Sequence, residues 1–137
     1  MKRILFDTDV VLDVLLQRQP FFTASALAID TVAQGKVEGY LAAHTITNLF
    51  YILRKHLGSE KSRETLNTLM SKLQVAAVTD AVIREALASS FTDFEDAVTH
   101  ASARAAGIEA IVTRNIKDFR LATIPVMLPE VFLATLS

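Results

Sequence analysis

The chain has no cysteine. That excludes disulfides, zinc–thiolate centres and thiol nucleophiles, and leaves oxygen and imidazole as the only common ligand groups. A metal held by such a sequence would be a hard ion of the magnesium or manganese kind. Although 51% of the residues are hydrophobic, no apolar run approaches the roughly 20 residues needed to cross a bilayer. Met1-Lys2-Arg3 leads straight into a strand pattern, so a soluble, cytoplasmic protein with no membrane attachment is expected. The net charge of −1 gives no global attraction for a polyanion, which would have to be drawn by local patches and bound cations. Glycine and proline are scarce, four and three residues, and no linker, repeat or low-complexity stretch stands out. Residues 1–137 therefore read as one domain, long enough to bury a real core and too short for two of usual size.

What is present is an alternation of strand-like runs and helical periodicity. Lys2 to Phe6 reads as a buried strand, and Phe22, Ala26, Ile29 and Ala33 recur at helical spacing until Gly35. Val37 to Leu41 is a second strand. Thr45 is the expected N-cap of a helix with Ile46, Leu49, Phe50, Leu53 and Leu57 on its core face, closed by Gly58. Ser59 or Ser62 is expected to cap a helix burying Leu66, Leu69, Met70 and Leu73. Gln74 to Thr79 is a third strand, with Asp80 the expected cap of a helix carrying Ile83, Ala86 and Leu87. An alanine-rich helix from Phe94 to Ala106 stops at Gly107; Glu109 to Thr113 is a fourth strand. Ile124 to Met127 is a fifth, placed at an edge by Pro125, and Glu130 to Leu136 closes the chain as a helix. Repeated β-then-α order with short connections predicts an α/β fold with a parallel sheet covered on both faces.

The acids fall where strands end. Asp7 follows Ile4-Leu5-Phe6, Asp93 and Asp96 open the alanine-rich helix, and Asn115 and Asp118 follow Ala110-Ile111-Val112. In an open α/β sheet the carboxyl ends of the strands form the ligand crevice, so acids gathered there suggest a divalent-cation site. A carboxylate directly after a buried strand, facing other acids, is costly unless a cation or hydrogen-bond donors compensate it. Asp9 and Asp13 share a helix face and repel weakly; taken singly, each is read first as structural, with Asp9 or Thr8 capping the helix. Capping accounts for Asp93 but not also for Asp96, one helical step on. His100 is read as structural or solvated.

Four stretches then carry a resemblance: FDTDVVLD at 6–13, TITNLFYILRK at 45–55, DFEDAVTHASARAAG at 93–107 and IVTRNIKDF at 111–119. In order and spacing they are similar to the successive motifs of the PIN-domain nucleases, over nearly the whole chain. The resemblance implies a three-layer α/β/α sandwich around a five-stranded parallel sheet, and an acidic pocket holding Mg2+ or Mn2+ for hydrolysis of RNA. Many single-domain members are VapC-like toxins of toxin–antitoxin pairs, usually homodimers held by a cognate antitoxin whose tail covers the pocket. Carried over by position, Asp7, Asp96 and Asn115 are expected metal ligands. Asp118 and Asp93 complete the catalytic set, with Thr113 beside the pocket. Asn48 departs from the glutamate usual in the second motif and removes a negative charge. Asp9, where asparagine is common, adds one.

The mechanism so implied is attack of water on a phosphodiester of single-stranded or structured RNA, assisted by one or two cations. Arg114, Lys117 and Arg120 are candidate RNA contacts, and Arg54, Lys55 and His56 form a second, weaker basic cluster. Phe21, Phe22, Leu49, Tyr51 and Phe91 offer bulky apolar surface for a dimer. The alternatives are a catalytically weakened PIN domain that binds RNA or protein, a haloacid-dehalogenase-type phosphatase suggested by FDTDVV, and a receiver-like domain. Val10 stands where the phosphatase pattern has glycine, and no lysine follows the fifth strand as a receiver needs.

Overall fold

Period-two alternation along the strands divides the core between the two faces of one sheet. Ile4 and Phe6 of β1 (Arg3–Phe6), Leu41 of β2 (Glu38–Ala42), and Ala110 and Val112 of β4 (Ala110–Val112) pack on one face. Leu5, Tyr40, Ala42 and Ile111, with Ala76 of β3 (Gln74–Ala76), pack on the other. These contacts come from a computed structural model describing residues 1–136; Ser137, the last residue of the domain expected over 1–137, lies outside the described residues.

With β5 (Val126–Met127), the strands form a five-stranded sheet in the order β3-β2-β1-β4-β5, every pairing parallel. One outer layer contains α1 (Thr8–Leu15), α2 (Phe22–Ala33), α3 (Ala43–Leu57), α4 (Ser59–Met70) and α7 (Pro129–Ala134). It is anchored by buried Val10, Leu49, Leu53 and Phe132, whose ring meets Phe6 edge-on at 6.1 Å. The opposite layer is α5 (Asp80–Ala88) and α6 (Phe94–Ala105), joined through Val82, Ala86, Ala97 and Ala101. This is the three-layer α/β/α sandwich expected. At Gly39 of β2 the helical layer comes so close that an added Cβ would lie 2.4 Å from Leu73 Cδ2 and 2.5 Å from Val32 Cγ2.

The starts of the helices differ from expectation. Because β2 runs directly into α3, that helix begins at Ala43 without a side-chain cap, and Thr45 is buried within its first turn, accepting from the Thr8 hydroxyl at 3.4 Å. Neither Ser59 nor Ser62 caps α4. Gly58, at φ +79°, occupies the cap, and the Ser62 hydroxyl donates back to its carbonyl at 2.6 Å. Thr79 caps α5 by accepting from the Val82 N–H, which leaves Asp80 in the helix paired with Arg84 at 2.8 Å. β3 stops at Ala76, where its pairing with Ala42 ends, rather than at Thr79. β5 is a two-residue edge strand, with Pro125 just before it.

The strand order places the site. From β1 the chain proceeds outward through β2 to β3, then returns across β1 to β4 and β5. The direction reverses between β1 and β4, and the crevice of an open α/β sheet lies at the carboxyl ends of such a pair.

Candidate active site

Asp7 emerges at that reversal. It follows the last residue of β1, its N–H still bonds the Val112 carbonyl at 2.9 Å, and its side chain caps α1 by accepting from the Thr8 N–H at 2.9 Å. The cap is thus Asp7, not Asp9 or Thr8. Its second oxygen accepts from the Thr113 hydroxyl at the end of β4, also at 2.9 Å. Asp9 accepts from the Arg114 N–H at 3.1 Å, while its Oδ1 is buried with no hydrogen-bond partner.

On the facing helix, Asp93 is the N-cap of α6 and accepts from the Asp96 N–H at 2.9 Å. Capping satisfies one backbone donor and puts carboxylates at the positive end of the helix dipole. Asp96 lies one turn in, buried. Asn115 follows β4, and its amide donates to Asp118 on the 3-10 helix Ile116–Phe119. Together, Asp7, Asp9, Asp93, Asp96, Asn115 and Asp118 line one cavity of about 490 Å³.

Burial, with neighbouring acids, raises the proton affinity of Asp7, Asp9 and Asp96. Burial, followed by the charge of Asp9, pushes Asp7 up to about 7, against the pull of its Thr113 and Thr8 hydrogen bonds. Burial, followed by the charges of Asp7, Asp93, Asp118 and Glu95, pushes Asp96 up to about 8. Burial likewise raises Asp9. A cation placed here would reverse this balance.

Not every expected site residue reaches the cavity. Asn48 lies apart, in a neighbouring hollow. Thr113 is buried behind the lining and holds Asp7 while accepting from the Asn115 N–H at 3.0 Å. Lys117 and Arg120 are exposed on or beside the 3-10 helix, outside the lining. Arg114 lines the cavity, yet its guanidinium is bound twice to Asp13, at 2.7 and 3.0 Å, and lies 3.7 Å over the Phe21 ring. His100 accepts from the Thr123 N–H at 3.0 Å and stacks on Phe91, so it serves the fold.

Two charged lining residues escaped the sequence reading, Glu95 and Arg18. Glu95 stands between the two acids singled out in DFED, where the three-residue spacing of Asp93 and Asp96 passes over it. Arg18 follows α1 and reaches back to Asp13 at 3.2 Å and to the Asp9 carbonyl at 3.1 Å, which no local spacing announces.

The donor set suits a hard cation, being all carboxylate and amide oxygen, with one buried carboxylate oxygen of Asp9 unpartnered. Among the described residues, no three Asp, Glu or His side chains converge as a ready-made cage. Magnesium is commonly held by one or two carboxylates, with waters and substrate oxygens completing its shell, so the residues fit that mode.

Fold and site define a class: a three-layer α/β sandwich with acids gathered at the sheet's reversal. The PIN domain profile matches residues 3–117, and the chain belongs to the PIN domain family. That membership sets aside the phosphatase and receiver alternatives. Among solved structures, the chain is similar to a toxin–antitoxin complex from Klebsiella pneumoniae (22% identity, 92% of this chain and 97% of that one, TM-score 0.69). It is also similar to VapBC-1 from nontypeable Haemophilus influenzae (13%, 93% and 98%, TM-score 0.70). A third is VapC20 of Mycobacterium tuberculosis, described as a sarcin-ricin loop cleaving toxin (16%, 79% and 86%, TM-score 0.62). At these identities the likeness is one of fold. No curated protein sequence matches the chain significantly.

Proposed function

We propose that this PIN domain is a Mg2+- or Mn2+-dependent endoribonuclease, the toxin of a toxin–antitoxin pair. The observation that carries the catalytic part is the pairing of buried Asp7 and Asp96 across one polar cavity, both with raised proton affinity. Buried like charges without a cation are unfavourable to the fold, and such perturbed groups cluster at functional sites. The toxin assignment rests on family membership and on the toxin–antitoxin complexes among its structural relatives.

Asp7 and Asp96 would hold the ion, with Asn115 as a third oxygen donor and Asp93, Asp118 and Glu95 near enough in the same cavity to orient its waters. When bound, the ion supplies a water of lowered pKa and stabilises charge on the phosphodiester oxygens. The protein's own part is positional. Thr113 fixes the Asp7 carboxylate, Thr8 fixes its other oxygen through the backbone N–H, and Asp93 locks the first turn of α6 so that Asp96 faces the cavity from a rigid element. Lys117 and Arg120, exposed beside it, would draw RNA phosphates. Asn48 lies outside the cavity lining and Glu95 within it, so the neutral residue at position 48 does not by itself strip the site of charge.

An antitoxin would cover the cavity, and homodimerisation would use exposed apolar surface. Leu49 is fully buried and unavailable for this, whereas Phe21 and Tyr51 are 39% and 59% exposed. The deciding experiment is cleavage of a panel of single-stranded and structured RNAs with magnesium, manganese or chelator, by the native protein and an Asp7→Asn, Asp96→Asn double variant. Metal-dependent cleavage that vanishes in the variant is expected. Cleavage that survives the double substitution would assign the activity elsewhere.

A further inference from the structure

Next to the acidic cavity, with Glu95 as a common wall, lies a second hollow of about 270 Å³. His44 and Asn48 of α3 line it together with Phe94 and Val98 of α6, and Val78 and Ile83 complete its apolar lining. No step of the chemistry above uses this space.

Its surface has three chemical properties. First, the half-buried Asn48 side chain offers an amide donor and an amide acceptor, neither engaged by another described residue. Second, Phe94 is 48% exposed, so an aromatic face remains open where a core residue would have covered it. Third, the hollow carries no cation. No lysine or arginine among the described residues lines it, and the buried Nδ1 of His44 has no acceptor to receive a second ring proton. The Thr99 hydroxyl donates to the Glu95 carbonyl at 3.0 Å and therefore accepts from His44 Nε2, also at 3.0 Å, which puts the ring proton on Nε2. Burial lowers the proton affinity of the ring further.

A hollow walled by one carboxylate and no cation repels phosphate but accepts a flat uncharged group. Sequence-specific contacts to RNA are made mostly to unstacked bases, which lie on aromatic rings and present their edges to amide side chains. We infer that this hollow binds an unstacked nucleobase of the RNA, from a nucleotide flanking the cleaved bond, with Phe94 as its stacking surface and Asn48 reading its edge. The inference rests on the nuclease reading for the position of the cleaved bond. The shared Glu95 wall links the two spaces: a strand whose phosphate reaches Asp7 and Asp96 has an adjacent base to place.

The test uses the four uncharged ribonucleosides, which need neither a metal nor catalysis. In NMR titrations of the full chain, one or more nucleosides should shift the Asn48 side-chain amide and the Phe94 ring signals, and Phe94→Ala should weaken binding about tenfold. A retained folded amide spectrum of Phe94→Ala would show that the loss is local; Phe94→Tyr, which keeps the ring, should retain binding. In the RNA panel, Asn48→Ala should change the preferred base beside the cut by tenfold or more. Nucleoside shifts without RNA cleavage would support the hollow and sink the nuclease reading. Cleavage with no nucleoside shifts and an unaltered base preference in Asn48→Ala would overturn the inference and leave the nuclease standing.

Discussion

Arg114 and Asp13 are 101 residues apart in sequence and joined by two hydrogen bonds of 2.7 and 3.0 Å. Asp13 is fully buried, and it also accepts from Ser25 at 2.9 Å and from Arg18 at 3.2 Å. Four donors thus surround a carboxylate that water does not reach. The link fastens the residue after Thr113 to α1, beside the β1–β4 pairing that joins Asp7 to Val112. Removing Arg114 takes away two of these four donors and leaves Asp13 with Ser25 and Arg18. Arg114→Ala is expected to lower unfolding free energy by about 2 kcal/mol, and Arg114→Lys to recover only part, because an ammonium cannot repeat the paired geometry. Denaturant unfolding of the three proteins checks this; equal midpoints would show that the pair is inert.

The metal-free protein is expected to lose stability as pH rises. Asp7 and Asp96 titrate near 7 and 8 in the folded chain, against an ordinary value of 3.8. Between those limits the folded state binds more protons than the unfolded one, so unfolding free energy falls with increasing pH. The contribution is fully present below about pH 4 and is lost as pH passes through 7 to 8. Thermal unfolding in chelator from pH 5 to pH 9 should show a falling Tm, with a shallower fall in Asp96→Asn. A profile equally steep in that variant would place the cause in other groups.

Gly39→Ala is expected to destabilise the fold without touching the site. The new methyl would lie 2.4 Å from Leu73 and 2.5 Å from Val32, and overpacking of this kind costs about 1–3 kcal/mol. Denaturant midpoints provide the check, with a neutral result meaning that α2 gives way easily.

Lys117 and Arg120 are exposed and form no ion pair with any described residue. If they draw RNA phosphates, Lys117→Ala and Arg120→Ala should each weaken binding of all RNA sequences alike and reduce the salt slope by about one unit at most. Fluorescence anisotropy over a range of ionic strength reads both effects. A change confined to one sequence would instead make them base contacts.

How far the sequence disclosed this arrangement depended on the range of the interaction. The alternation of Ile4, Leu5 and Phe6 and the glycines at 35, 58 and 107, all at positive φ, are local signals, and the strands and helix ends follow from them. Asp7 and Asp96 were legible because each stands at an element boundary. Asp13 was not, since its spacing from Asp9 suggests repulsion, whereas its partners Ser25 and Arg114 come from other elements. Asn48 lines the neighbouring hollow for a related reason. α3 starts at Ala43, where β2 ends, and tertiary position, not motif order, decides which cavity a side chain lines. Glu95 was hidden by its neighbours, because three acids in four residues at a helix start are explained equally well by capping and dipole effects.

Metal binding should invert the pH dependence. An ion held by Asp7 and Asp96 requires both as carboxylates, so it competes with the protons they otherwise retain up to about 7 and 8. Magnesium or manganese is therefore expected to raise Tm little at pH 6 and clearly more at pH 8, with protons released on binding at the lower pH. Cleavage should rise over the same interval for the same reason, since only the deprotonated pair can hold the ion. Asp96→Asn removes one of the two titrating ligands and should abolish both the thermal shift and its pH dependence. Calorimetry in buffers of different ionisation enthalpy separates proton release from metal binding. Binding that is equally tight at both pH values, with no proton release, would mean that the ion sits away from Asp7 and Asp96, and the assignment of the cavity as the metal centre would fall with it.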